Sequence, residues 1–81
     1  MSNPSIKIGR ETGRGACIMT GAVDHSFNVV VNSRHLEVTI VQTKSGKFME
    51  PTFWDGKSEM PVKINKTIAT RVKNELIGSR I

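Results

Sequence analysis

The side chains able to do covalent or metal chemistry are few in this chain, and their spacing assembles no reaction. Cys17 is the lone cysteine, and His25 and His35 are the two histidines. A nucleophile needs a base and a group to orient that base, and no spacing ties Cys17 to either histidine. The carboxylates Asp24, Glu37, Glu50, Asp55, Glu59 and Glu75 show no paired spacing of the sort that general acid–base work uses. A structural zinc site takes four Cys or His ligands in close groups, and three scattered candidates do not supply one. No catalytic residue, metal or cofactor is expected, and the chain does not read as an enzyme.

What the sequence does carry is a surplus of cations. Twelve Lys and Arg stand against seven Asp and Glu, a net charge of +5. Such a surplus suits an anionic partner through phosphate contacts that release counterions, and it also suits plain solubility. Arg10 and Arg14 sit in Gly9-Arg10-Glu11-Thr12-Gly13-Arg14-Gly15, where successive glycines can turn backbone N–H groups toward an anion. The segment lacks the Gly-Lys-Ser/Thr ending of a phosphate loop and the βαβ setting of a dinucleotide fingerprint. It reads as a flexible hairpin loop, with a mobile basic arm on nucleic acid as the functional alternative. Lys44, Lys47, Lys57 and Lys63 extend the basic set. Trp54 follows Phe53, and neighbours on a strand face opposite sides. One is core, and the other is free to stack a base or to pack under a helix or at a dimer seam.

These residues need elements to hold them. Phe27, Val29 and Val31 alternate along one run, and Leu36, Val38 and Ile40 along the next, with Asn32-Ser33-Arg34-His35 between them. That is a hairpin with both apolar rows on one face. Ile6-Lys7-Ile8 begins a strand that the glycines break, and Ala16 to Thr20 is a second apolar piece, so residues 5–20 are expected to form an N-terminal hairpin. Residues 21–25 connect it to the main sheet at 27–64. Lys44 to Lys47 is a turn, and Phe48 to Trp54 a third strand whose Pro51 implies an edge or a bulge. Asp55-Gly56 is a two-residue turn, and residues 61–64 are a short last strand. Asn65 then caps a helix over 65–78 with Ile68, Ala69, Val72 and Leu76 as its apolar stripe and Gly78 as its stop. Lys66, Lys73 and Arg80 line one flank, either solvated or facing phosphates, and Arg71 and Glu75 are spaced to pair on the other.

The expected fold is therefore α+β, an antiparallel sheet of four to five or more strands followed by one C-terminal helix. Eighty-one residues make a single domain, 1–81, with 1–4 a frayed end. Cores this small usually add a disulfide, a metal or a partner chain, which points to a second copy. A lone cysteine, no signal-like start and no apolar run near the ~20 residues of a bilayer span suggest a soluble, cytoplasmic protein without membrane contact.

From Phe27 onward the chain resembles the single-stranded-DNA-binding transcriptional coactivators of the positive cofactor four type. The likeness lies in Phe27-x-Val29-x-Val31 and Leu36-x-Val38-x-Ile40, in Gly46-Lys47-Phe48-Met49-Glu50-Pro51, and in Val62-Lys63-Ile64-Asn65 with Val72, Lys73 and Leu76 behind. The resemblance implies a homodimer paired through its C-terminal helices, with sheets that grip single strands. Lys57 and Lys63 stand where that family's basic strand would lie. The family's Lys/Gly-rich stretch is thinned here to Lys57-Ser58-Glu59, and a helix aromatic it often uses falls at Ala69. The same region is also similar to the SpoVG septation-regulator family, in Phe48-x-x-Pro51 and Ile64-Asn65 with Val72 and Leu76, which implies DNA or RNA binding.

Two functions follow as expectations. The first is a small dimeric nucleic-acid-binding and regulatory protein that prefers single strands, with Arg10, Arg14, Lys44, Lys47, Lys57 and Lys63 on phosphates and Trp54 as a stacking platform. The second is a protein-binding inhibitor or adaptor of phage or plasmid type, which blocks a host protein through an edge strand near Pro51 or the Asp55-Gly56 turn.

Overall fold

The computed structural model describes residues 4–81, so most of the expected frayed end lies outside the described residues. Four antiparallel strands, β1 (Ile6–Ala16), β2 (Val23–Val31), β3 (Arg34–Gln42) and β4 (Thr52–Trp54), form one sheet in the order β1-β2-β3-β4, followed by helix α1 (Lys66–Ser79). This is the α+β arrangement that the alternation predicts.

The β2–β3 hairpin is the centre of the fold. Phe27, Val29, Val31, Leu36, Val38 and Ile40 are all buried on its inner face, with Phe27 opposite Val38 and Val29 opposite Leu36. The reversal takes only Asn32 and Ser33, at φ 49° and 67°. Both central residues are left-handed, as a type I′ turn demands for the twist of its strands, so Arg34 and His35 already belong to β3. Phe53 of β4 joins the core, and α1 closes it with Val72 and Leu76, each fully buried. Asn65 caps α1 as expected, its Oδ1 accepting from the Thr67 N–H at 2.8 Å.

Several expectations need correction. Residues 5–20 are not a hairpin, and 9–15 are not a loop: β1 runs unbroken from Ile6 to Ala16 and pairs with β2 along its length. The main sheet thus begins at Ile6, and Val23 to His25 belong to β2 rather than to a connection. The glycines mark register irregularities between Ile8 and Glu11 and between Glu11 and Gly13, the usual place of glycine inside a strand. β1 is an edge strand, and such irregularities also spoil it as a template for further pairing.

The run from Phe48 to Trp54 is strand only at its end. Phe48 makes an isolated bridge to Gln42, and regular pairing resumes at Thr52, beyond the proline that cannot donate. Residues 61–64 likewise contribute one bridge, Val62 to Phe53, rather than a strand. Asp55-Gly56 is not a two-residue hairpin turn; the Asp55 carboxylate accepts from the Lys57 and Ser58 N–H groups at 2.9 and 3.2 Å and organises a wider loop. Finally, α1 passes through Gly78 to Ser79, and Arg80 is its cap residue, its N–H bonding to the Leu76 carbonyl at 3.0 Å. Among the described residues no helix is long and apolar enough to cross a membrane.

Because Leu76 of α1 is fully buried against the inner face, Leu76→Ala should lower the unfolding free energy by about 2–5 kcal/mol in urea titration, while Thr70→Ala on the exposed side changes it by less than about 0.5 kcal/mol. Ser33→Gly should raise stability by about 0.5–1 kcal/mol, the left-handed cost of serine less the entropy cost of glycine.

Candidate nucleic-acid interface

The inner face of the sheet is longer than its core. Continuing the inward alternation of β2 toward its start gives His25 and Val23, and β3 ends on Gln42 on the same face. In β1 the two irregularities bring Glu11 opposite Phe27, Arg14 opposite His25 and Ala16 opposite Val23. Directly opposed residues share a face, so Arg14 and Ala16 extend this end inward. The C-terminal end of α1 meets it, with Arg80 Nη2 donating to the Ile8 carbonyl at 2.8 Å. Together these residues line a cleft of about 630 Å³.

His25 is the one polar residue in the core, only 6% exposed. Its Nδ1 lies 3.0 Å from a Glu11 carboxylate oxygen. The other oxygen accepts from Arg14 at 3.1 Å. The hydrogen bond to His25 is the main influence holding the Glu11 carboxyl below its ordinary value; burial opposes it, and Arg14 reinforces it by hydrogen bond and charge. Glu11 is then an anion at neutral pH and can only accept, so Nδ1 carries the proton. No buried side-chain nitrogen or oxygen lacks a partner among the described residues, and Nε2 makes no protein hydrogen bond. Nε2 therefore keeps a little exposure, and His25 is one of the residues that line the cleft.

Beyond the cleft the β1–β2 turn projects, closed by hydrogen bonds from Cys17 N–H to the Ala22 carbonyl and from Gly21 N–H to the Cys17 carbonyl, both 2.8 Å. Ile18 and Met19 at its tip are 98% and 94% exposed. Gly21, at φ +75°, lets the backbone turn back close to the Lys44 stem, 3.0 Å from where a Cβ would stand. The turn at 43–47, stapled by Thr43 N–H to the Lys47 carbonyl at 2.8 Å, thus lies beside the arm. Cys17 is exposed, and its thiol is pulled below the ordinary value by hydrogen bonds from the Thr20 hydroxyl and from the Thr20 and Met19 backbone.

The seven expected binding residues divide. Arg14, Lys44 and Lys47 come to this end of the sheet. Arg10 is exposed midway along edge strand β1, and Lys63 is exposed beside β4. Lys57 belongs to the loop at the far end, where Arg34 and Asp55 approach to 4.0 Å. Trp54 is half-buried on the outer face, opposite Glu37, whose carboxylate accepts from the Thr12 hydroxyl at 3.0 Å. That face is polar rather than basic, so Trp54 has an acidic neighbour instead of the phosphate-holding ones that a stacking platform needs. Along the flank of α1, Lys73 pairs with Glu50 at 3.1 Å, one nitrogen of Arg80 donates to the Ile8 carbonyl, and Lys66 is exposed. The outward side of α1 shows Lys66, Thr67, Thr70, Arg71, Asn74 and Glu75, all exposed.

His25 and Gln42 as binding residues and the Ile18-Met19 pair escape the sequence reading, while Arg80 enters it only as one of the cations on the helix flank. The signal for His25 was the odd-position row that ends at Val31, extended by one step before Phe27. The signal for the tip was an apolar pair set between glycines in a polar stretch.

The lowered Glu11 and Asp55 carboxyls predict an acid limb of stability. A depressed folded value stabilises fully above the unfolded one, near 4.5 for Glu11, and that contribution is lost as pH falls below it. Urea midpoints should therefore drop below about pH 4.5, and Glu11→Gln should flatten that drop. Compared with known proteins, the chain matches no family model, no curated protein and no solved structure.

Proposed function

We propose that this protein binds nucleic acid, single strands in preference to duplex, through the end of the sheet that carries the β1–β2 arm. The observation that supports this reading is the meeting of an apolar tip, Ile18 and Met19, with Arg14, Lys44, Lys47 and Arg80 at one end of a chain of net charge +5. Glu11 and Asp24 are the carboxylates nearby, so cations prevail. Arg14 keeps donors to spare, because its side chain is 63% exposed even while paired with Glu11. Cations on either side of the arm hold phosphates, and the tip packs against bases between them. Inserting an apolar wedge into a duplex costs a few kcal/mol of unstacking. A single strand presents bases already free, and the preference follows from that difference. A cytoplasmic setting belongs to the same reading, since an exposed free thiol at Cys17 stays reduced there.

The test is fluorescence anisotropy with labelled single-stranded and duplex oligonucleotides across a salt series. Affinity for the single strand should fall steeply with salt, with a slope of about −0.7 per phosphate contact. Arg14→Gln plus Lys44→Gln should weaken binding to every sequence and lower that slope by roughly one to two. Ile18→Ser plus Met19→Ser should cost about tenfold in single-strand affinity, the scale of one lost base contact. Lys57→Ala plus Lys63→Ala, away from the arm, should do less. Binding that ignores salt and both pairs at the arm would reject this reading, and capture of a stoichiometric protein through Ile18 and Met19 would replace it with the inhibitor or adaptor.

A further inference from the structure

We infer that the cleft between the start of β2 and the end of α1 is a pocket for one unpaired nucleotide whose base carries, on its pairing edge, an amine beside an unprotonated ring nitrogen, as adenine and cytosine do. The inference deepens the nucleic-acid reading and rests on it for the source of the ligand, a base in a strand held by the neighbouring arm. Its volume of about 630 Å³ lies within the range of small-molecule sites.

The groups that converge there divide the work. His25 is more than nine-tenths buried, yet it lines the cleft and its Nε2 makes no hydrogen bond among the described residues. In the neutral ring the Nδ1 proton is the one that Glu11 accepts, which leaves Nε2 the lone pair of an acceptor. Gln42 is the diagonal neighbour of His25 on the same face, since Ile40 stands opposite His25 and Gln42 opposite Val23. Its only protein bond is a long one, Nε2 to the Gly46 carbonyl at 3.4 Å, which leaves the amide oxygen and one N–H for a ligand. Two acceptors beside one donor match an exocyclic amine next to a ring nitrogen, the edge shared by adenine and cytosine. Uracil and guanine place a carbonyl oxygen where the amine should be, and that oxygen would meet lone pairs. Arg14 and Arg80 at the mouth supply phosphate donors, and Ala16 and Val23 give the base an apolar wall. Glu11 does not touch the ligand; it is a positioning residue that holds the orientation of the imidazole and, in the neutral ring, its tautomer.

The experiment is a calorimetric titration of the full chain with 5′-AMP, CMP, GMP, UMP and inorganic phosphate, at low salt, beside the oligonucleotide assay. AMP and CMP should bind about tenfold tighter than UMP and GMP, one matched hydrogen-bond pair's worth of discrimination. Gln42→Leu, at the half-buried rim, should erase that preference, and so should His25→Gln where circular dichroism shows it folded. Arg80→Gln should weaken all four nucleotides alike. Equal affinity for all four, or a preference that survives Gln42→Leu, overturns the inference. Salt-dependent oligonucleotide binding without base preference leaves the arm standing and removes the pocket. Mononucleotide preference without oligonucleotide binding does the reverse.

Discussion

A single helix laid across a one-sided sheet is the constraint on which the rest depends. α1 lies over the middle of the inner face, through Val72 and Leu76 in one core with the β2–β3 hairpin, and Phe48, Val62 and Ile64 pack against that core beside it. A helix is about 10–12 Å wide with its side chains, whereas nine-residue strands such as β2 and β3 run about 30 Å. The helix starts beside the segment bridged to β4 and ends where Arg80 holds the Ile8 carbonyl, so it crosses the strands rather than following them. Part of the inner face must stay uncovered. That part carries Gln42, Arg14 and the edge of the buried His25 beside Val23 and Ala16, so it is more polar than the core.

This division explains what the sequence disclosed. Alternation in 27–40 and the 3.6-residue stripe from Ile68 to Leu76 report burial directly, because the solvent boundary imposes them; both elements form where the pattern says. β1 imposes no such boundary. It is an edge strand whose inward residues beyond Ile8 meet the polar cleft rather than the core, so its polar and glycine-rich sequence looks like a loop. What makes it a strand is the long free edge of β2, a tertiary demand that no local propensity carries. The segments at 48–51 and 61–64 fail for a related reason: Pro51 interrupts the donors, and a single bridge to Phe53 is enough to seal the edge.

The site was legible as composition but not as place. Lysine and arginine can be counted from sequence, while their partners cannot. Glu50 takes up Lys73, Asp55 faces Arg34, and the Ile8 carbonyl anchors one nitrogen of Arg80. Cations that are equal in sequence thus become unequal in the fold, and Arg14, Lys44 and Lys47 gain weight through the apolar tip beside them. Trp54 loses weight for the same reason, since the strand register sets it opposite Glu37.

The irregularities in β1 tie the fold to the site more closely than charge does. Had β1 kept strict alternation from Ile8, inward positions would have fallen on Arg10, Thr12 and Arg14, and Glu11 would have faced out. The shift between Ile8 and Glu11 instead sets Glu11 opposite Phe27, within reach of both His25 and Arg14. A buried histidine without that carboxylate would have no fixed tautomer, and Arg14 would have no anchor beside the cleft. Gly9, whose Cβ would lie 3.3 Å from that of Asn28, allows β1 to approach β2 closely just before the shift. The glycines that disguise β1 as a loop are therefore part of what puts an acid, a histidine and an arginine on one face, in a chain whose sequence shows no such grouping.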